Sequence, residues 1–198
     1  MRILDAALKR LSRGESADFT MAQIAAAARV SRQAVYLHFK DRTALLIAIA
    51  RRVDEQLGIP HEVQAIEQAV SAEVAIQMMV SLQARLNPRI WPAARAMEAV
   101  RRTDAAVESA WQDRLQFRLE GCRKIIARLE RERRLRSGLD PDVATDTLWS
   151  LTSLRTWEDL VLQRRWSASE YEQQLTSLLW QHLVESPSSA RAPLGVVR

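Results

Sequence analysis

The chain has 198 residues, 47% hydrophobic and 27% charged, with a formal net charge of +5. That is one or two domains of sequence with enough apolar material for a core. No apolar run approaches the roughly 18 residues that a membrane span requires, and the charged start MRILDAALKRL lacks the pattern of a secretory signal, so a cytoplasmic protein with no membrane partner is expected.

The single cysteine, Cys122, excludes an internal disulfide framework and a multi-cysteine zinc site. His38, His61 and His182 fall at no metal-ligand spacing, and there is no G-x-S-x-G elbow, phosphate loop or dinucleotide fingerprint. No catalytic residue, metal or cofactor is therefore expected. With five glycines, two tyrosines, three phenylalanines and few β-branched runs, the fold class is all-α.

A first helix carries Ile3, Leu4, Ala7, Leu8 and Leu11 on one face. The stretch SRGESADF then breaks the period. Thr20 and Gln23 form a capping box for a second, alanine-rich helix containing Ile24. A turn at Ala28, Arg29 and Val30 leads to Ser31, the cap of a third helix that runs toward Phe39. Asp41 caps a fourth, whose inner stripe is Leu45, Ile49 and Val53. Gly58 and Pro60 mark a junction between a head, residues 1–56, and a body, residues 57–185.

In the body, Val63, Ile66, Val70, Val74, Met78 and Leu82 recur at helical steps and predict one long fifth helix. Asn87-Pro88 reads as a fresh cap with proline at the first helical position, and Pro92 makes the sixth segment short or bent. The seventh helix extends from about Asp104 to Leu135, with Gly138 as its terminal cap. Asp140-Pro141 opens an eighth helix with Val143, Leu148, Leu151 and Leu154 inside. Ser167 to Glu170, SASE, is a second capping box and launches the ninth through Tyr171, Leu175, Leu178, Leu179 and Leu183. Residues 186–198, polar and broken by proline, are expected to be a disordered tail.

The charge is concentrated at the front. Residues 1–56 hold ten Lys/Arg against six Asp/Glu, a surplus of +4, whereas the rest carries +1. A small basic head on a nearly neutral body suggests a polyanion partner. Two short helices joined by a tight turn fit a DNA major groove, which admits one α-helix. Arg32 and Gln33 stand at the entering end of the second of these, where arginine can pair with guanine and glutamine with adenine; Ala34 can touch a thymine methyl. Thr20, Tyr36, His38, Lys40 and Arg29 are suited to holding the phosphate backbone. Taken singly, Tyr36 and Phe39 could instead be core rings and His38 a solvated surface histidine.

The block FTMAQIAAAARVSRQAVYLHFKDRTALLIAIA, preceded by ILDAAL, resembles the amino-terminal domain of the TetR family of bacterial transcriptional regulators. The resemblance covers residues 1–56; beyond them it extends only to helix number and the rhythm of the last two helices. It implies a helix-turn-helix in which Thr20 contacts phosphate as the cap of the second helix, Ser31, Arg32, Gln33 and Ala34 face the bases, and Tyr36, His38 and Lys40 grip the backbone. The sequence departs from the family at Arg29, where a glycine is usual, and in SRGESADF, where Ser12 and Ala17 would be small fillers at the end of the first helix. No basic arm is expected ahead of that helix.

A single small head buries too little surface for strong specific binding, so a homodimer reading an inverted-repeat operator in double-stranded DNA is expected. Its pairing surface is assigned to the last two helices, with Leu148, Leu151, Leu178 and Leu179 as candidates. All six tryptophans lie after residue 90. Met78, Met79, Trp91, Trp111, Arg118 and Trp157 are the candidate wall of a site for a small hydrophobic or aromatic effector; each tryptophan could equally be core. The function that follows is a ligand-responsive repressor, with activation as the alternative sign. A helical adaptor that has lost DNA binding is the competing class, and a helical enzyme, with Glu98, Asp104 and Glu108 as its best cluster, is a weaker one.

Overall fold

Capping residues and apolar stripes set ten α-helices in the computed structural model, which describes residues 2–12 and 19–185. The head contains α1 (Arg2–Ser12), α2 (Met21–Ala28), α3 (Arg32–His38) and α4 (Arg42–Gln56). The body contains α5 (Ile59–Glu67), α6 (Ala72–Val100), α7 (Ala105–Arg131), α8 (Pro141–Leu151), the short α9 (Leu154–Trp157) and α10 (Ala168–Leu183). A π-helical segment, Glu158–Gln163, continues directly from α9. The expected caps at Thr20, Ser31, Asp41 and Ser167 all accept backbone N–H groups at helix starts, as do Asp104 and Asp140, and both capping boxes close.

Two large cores organise the chain. In the head, Ile3, Ala7 and Leu11 of α1 meet Ile24 and Ala28 of α2, Val35 of α3, and Leu45, Ile49 and Val53 of α4. In the body, α6, α7, α8 and α10 surround Ile76, Val80, Ile126, Leu129, Leu148, Tyr171 and Leu179. The long helix α6 belongs to both, because Ala93 and Ala96 near its end are buried in the head core. A smaller cluster of Ala50, Met97 and Val107 joins α4 to α6 and α7.

Four expectations about the body are corrected. The long fifth helix is two helices: α5 stops at Glu67, and Ser71 caps α6, its hydroxyl accepting from the Val74 N–H at 3.3 Å. Val70, which the periodicity places on an inner stripe, lies in the break and is 89% exposed. Asn87-Pro88 does not start a helix; α6 runs through Pro88 and Pro92 for 29 residues. Each proline removes an intrahelical hydrogen bond, at about 3 kcal/mol. Buried packing on both sides offsets that cost, with Leu82 and Leu86 in one core and Ala93 and Ala96 in the other. Finally, α7 ends at Arg131 rather than near Leu135, its closing left-handed residue being Arg133 and not Gly138, and Val143 is exposed rather than inside.

The stretch after α1 and the tail, including Gly14, Ala17 and residues 186–198, lie outside the described residues, as does the side chain of Ser12. Among the described residues, no helix is long and apolar enough to cross a membrane.

Head and body are also joined by polar contacts along α4. The Thr43 hydroxyl donates to Asp104, the N-cap of α7, and the Arg114 guanidinium donates to Asp54 near the end of α4. The Thr43 hydrogen bond, with the Val107 and Ala106 N–H groups behind it, holds the Asp104 carboxyl below its ordinary 3.8. A depressed carboxylate contributes stability above its unfolded pKa and loses it as pH falls through the folded one. Thr43→Val should therefore be less stable than the parent at neutral pH, the difference fading below about pH 4. Urea denaturation across that range checks it; a gap that persists in acid would mean the hydroxyl acts by packing alone.

Candidate nucleic-acid interface and effector body

The turn between α2 and α3 is set by local hydrogen bonding. Arg29 adopts φ 55°, ψ 48°, the left-handed region. Its N–H donates to the Ala26 carbonyl at 3.1 Å and the Val30 N–H to the Ala25 carbonyl at 3.0 Å, a Schellman closure whose left-handed position usually belongs to glycine. The same closure recurs after α7, where Arg133 has φ 55°. Arg29→Gly should stabilise the chain by about 1 kcal/mol, because glycine takes that conformation without the Cβ penalty. Thermal unfolding measures the gain. If Arg29 also holds phosphate, the same variant binds DNA more weakly while melting at a higher temperature, two effects that strain relief alone would not combine.

Helix α3 is docked by Val35, which is fully buried, against Ile24 and the head core. That single anchor turns the rest of the helix outward. Arg32, Gln33, Tyr36 and His38 are exposed, as are Ser31 before the helix and Lys40 after it, while Ala34 is half-buried. The Arg32 guanidinium lies 5.5 Å from the centre of the Tyr36 ring, with Nη2 3.5 Å from the phenol oxygen. Thr20 and Ser31 use their hydroxyl oxygens as acceptors for the Gln23 and Ala34 N–H groups, at 3.2 and 3.1 Å. Each retains a hydroxyl hydrogen to donate outward.

Leu37 was not singled out from sequence, yet it is 85% exposed on α3. Its place two residues after the buried Val35, off the inner face of the helix, is the signal that could have found it. A crevice of about 360 Å³ lies behind α3, lined by Arg2, Ile3, Leu4, Val30, Ala34, His38 and Phe39.

In the body, the structure brings only some of the expected wall together. Trp91 of α6 and Trp157 of α9 pack with ring centres 6.1 Å apart, and Met78 and Met79 border the same core. Trp111 belongs to the smaller cluster with Val107 and Met97, under the Arg101 guanidinium, 5.3 Å from its ring. Arg118 enters the body from α7 and donates to the Trp149 carbonyl at 2.9 Å. Of the four leucines assigned to pairing, Leu148 and Leu179 are fully buried in the chain's own core; Leu151 is half-buried and Leu178 is 46% exposed. Among the described residues, no group of three or more His, Cys, Asp or Glu side chains is placed to hold a metal ion.

A tight turn that fixes one short helix by a buried valine, leaving its polar face outward on an all-helical body, is a helix-turn-helix arrangement. Residues 3–49 match the family described as "Bacterial regulatory proteins, tetR family", so the head is similar to the DNA-binding domain of that family.

Among curated sequences no relative matches. Solved structures share the fold over nearly the whole chain. The transcriptional regulator FadR from Bacillus subtilis, in complex with stearoyl-CoA, superposes with a TM-score of 0.73 at 19% identity, covering 92% of this chain and 98% of that one. A candidate transcriptional regulator from Saccharomonospora viridis, in complex with choline, gives 0.79 at 18% identity over 93% and 97%. SmeT, the repressor of the Stenotrophomonas maltophilia multidrug efflux pump SmeDEF, gives 0.66 at 21% identity over 98% and 96%.

Proposed function

We propose that the chain is a repressor that binds an inverted-repeat operator as a homodimer and releases it when an organic effector enters the body. The observation that carries this reading is the outward polar face of α3, with Arg32 and Gln33 exposed beside the buried Val35. In it, residues 1–56 read DNA, with Ser31, Arg32, Gln33 and Ala34 at the bases and Thr20, Arg29, Tyr36, His38 and Lys40 at the phosphates. Residues 57–185 pair and sense.

Pairing would use the exposed apolar side chains of α8 and α10, Val143, Leu178 and Trp180 with the half-buried Leu151. The complexes of similar folds with stearoyl-CoA and choline support an organic effector. An effector empties the operator only by preferring one head spacing to the other; moving a population from 1:99 to 99:1 takes about 5.5 kcal/mol of such preference. Helix α4 is the path, since it leads back from α3 and is tied to α7 through Thr43–Asp104 and Asp54–Arg114.

The test is selection of bound sequences from random duplex DNA, followed by gel-shift titration at two salt concentrations. A palindromic site bound with two chains, its affinity falling with the logarithm of salt, is expected. Equal affinity for selected and unrelated DNA would instead favour an adaptor built on the same scaffold.

A further inference from the structure

Arg118 is a cation drawn into the body without a counter-charge. Its guanidinium donates to the Trp149 carbonyl and lies 5.5 Å from the centre of the Trp149 ring. The titratable groups that act on it are Cys122, one turn along α7, and Tyr171 of α10. Burial pushes the Cys122 thiol up to about 11 and the Tyr171 phenol up to about 12, so both are neutral at physiological pH. Burial also lowers the pKa of Arg118 itself, but a guanidinium does not release its proton in that range.

The polar atoms around this cation are unsatisfied. Tyr171 is fully buried, and its hydroxyl has no hydrogen-bond partner; the Trp149 indole N–H also lacks one. Buried polar groups in folded proteins are normally paired, and an unpaired one calls for an explanation. Beside Arg118 these groups can donate: the rest of the guanidinium fork, a phenol O–H and an indole N–H. A visitor that satisfied them would bring acceptor oxygens and a negative charge.

We propose that Arg118 and Tyr171 form the seat for a carboxylate, so that the body's effector is an organic acid with an apolar or aromatic remainder. The guanidinium takes the carboxylate through its planar fork, Tyr171 donates a further hydrogen bond, and the apolar remainder lies toward the core of Met78, Met79 and Trp157. This rests on the effector reading above and narrows its chemistry. It also supplies a route to the head. Arg114, one turn before Arg118 on α7, is the residue that holds Asp54 of α4, so an anion drawing on Arg118 pulls at the helix that grips α4.

The experiment uses the full chain, with benzoate as probe and benzamide as its uncharged counterpart, at constant ionic strength. Melting temperature and tryptophan fluorescence are read for the parent, Arg118→Met and Tyr171→Phe, with gel shifts in parallel. Benzoate should raise the parent's melting temperature by roughly 3 °C or more beyond benzamide at saturating concentration. The difference should vanish in Arg118→Met and shrink in Tyr171→Phe, which keeps the ring and loses only the donor. Without any probe, Arg118→Met should melt no lower than the parent, because it removes an uncompensated buried charge.

A parent that treats benzoate and benzamide alike overturns the proposal, as does a benzoate effect that survives in both variants. So does an Arg118→Met chain that turns from dimer to monomer, for the guanidinium would then be paired with a second copy. Failure of the regulator reading looks different: the benzoate effect stands while the parent binds no DNA selectively.

Discussion

Replacing Arg32 and Gln33 together with alanine is expected to abolish the preference for operator over unrelated DNA while leaving the melting temperature almost unchanged. Each bidentate contact to a base is worth about 1–3 kcal/mol. Two in each of two heads make the loss of selective affinity on the order of a thousandfold or more. The fold is spared because both side chains are exposed and the docking of α3 depends on Val35. Lys40→Ala supplies the contrast. Its side chain is 84% exposed, suited to a phosphate, so its loss should weaken all duplexes alike and lower the salt slope by about one per head. Competition gel shifts against the selected site distinguish the two patterns; the same pattern from both variants would refute the division into base and phosphate contacts.

The second large effect is expected at Leu178. An aspartate there places a charge in the middle of the proposed pairing face, and charges are depleted at the buried centre of such interfaces. The chain should become monomeric, with operator affinity falling at least a hundredfold, since a single head contributes only about 600–1,000 Å² of contact. Helicity should persist, because Leu178 points out of the core. Leu179→Asp, one residue on, provides the control. Leu179 is fully buried, and an unpaired carboxylate there should unfold the chain rather than split a dimer. Light scattering and circular dichroism separate these outcomes, and a Leu178→Asp chain that stays dimeric with full affinity would move pairing elsewhere.

Local chemistry made much of the head readable in advance. Thr20, Ser31 and Asp41 each close a hydrogen bond within three residues, so the signal and its effect lie in the same stretch of chain. Periodicity is blinder. The spacing from Val63 to Leu82 runs across the break at Ser71 without a fault, because a helical period cannot register that two helices happen to be in phase. Nor does sequence reveal which rule tertiary packing will override. Prolines 88 and 92 stand inside a helix since both its ends are buried, and Arg29 and Arg133 fill positions that favour glycine since the Schellman hydrogen bonds form around them.

The expected tryptophan wall illustrates the remaining limit: Trp91 and Trp157 meet, while Trp111 packs in another cluster, a distinction that depends on crossings between helices. Arg118, one of the expected wall residues, is legible from its spacing. It recurs with Leu115, Cys122, Ile125 and Ile126 at steps of three and four, a charge on an inward stripe.

The two prolines of α6 also have a mechanical meaning. The last buried residue that α6 gives to the body core before them is Leu86, and the first that it gives to the head core is Ala93. Pro88 and Pro92 stand in the gap. The helix is thus a beam clamped at both ends, with its weakest section set between the clamps, where two backbone hydrogen bonds are already missing. Bending there costs few backbone hydrogen bonds, and the side-chain packing it works against is that of Ile90 on the head core and of Trp91 on Trp157. A load applied at the Trp91–Trp157 pair would reach the head as a change of angle.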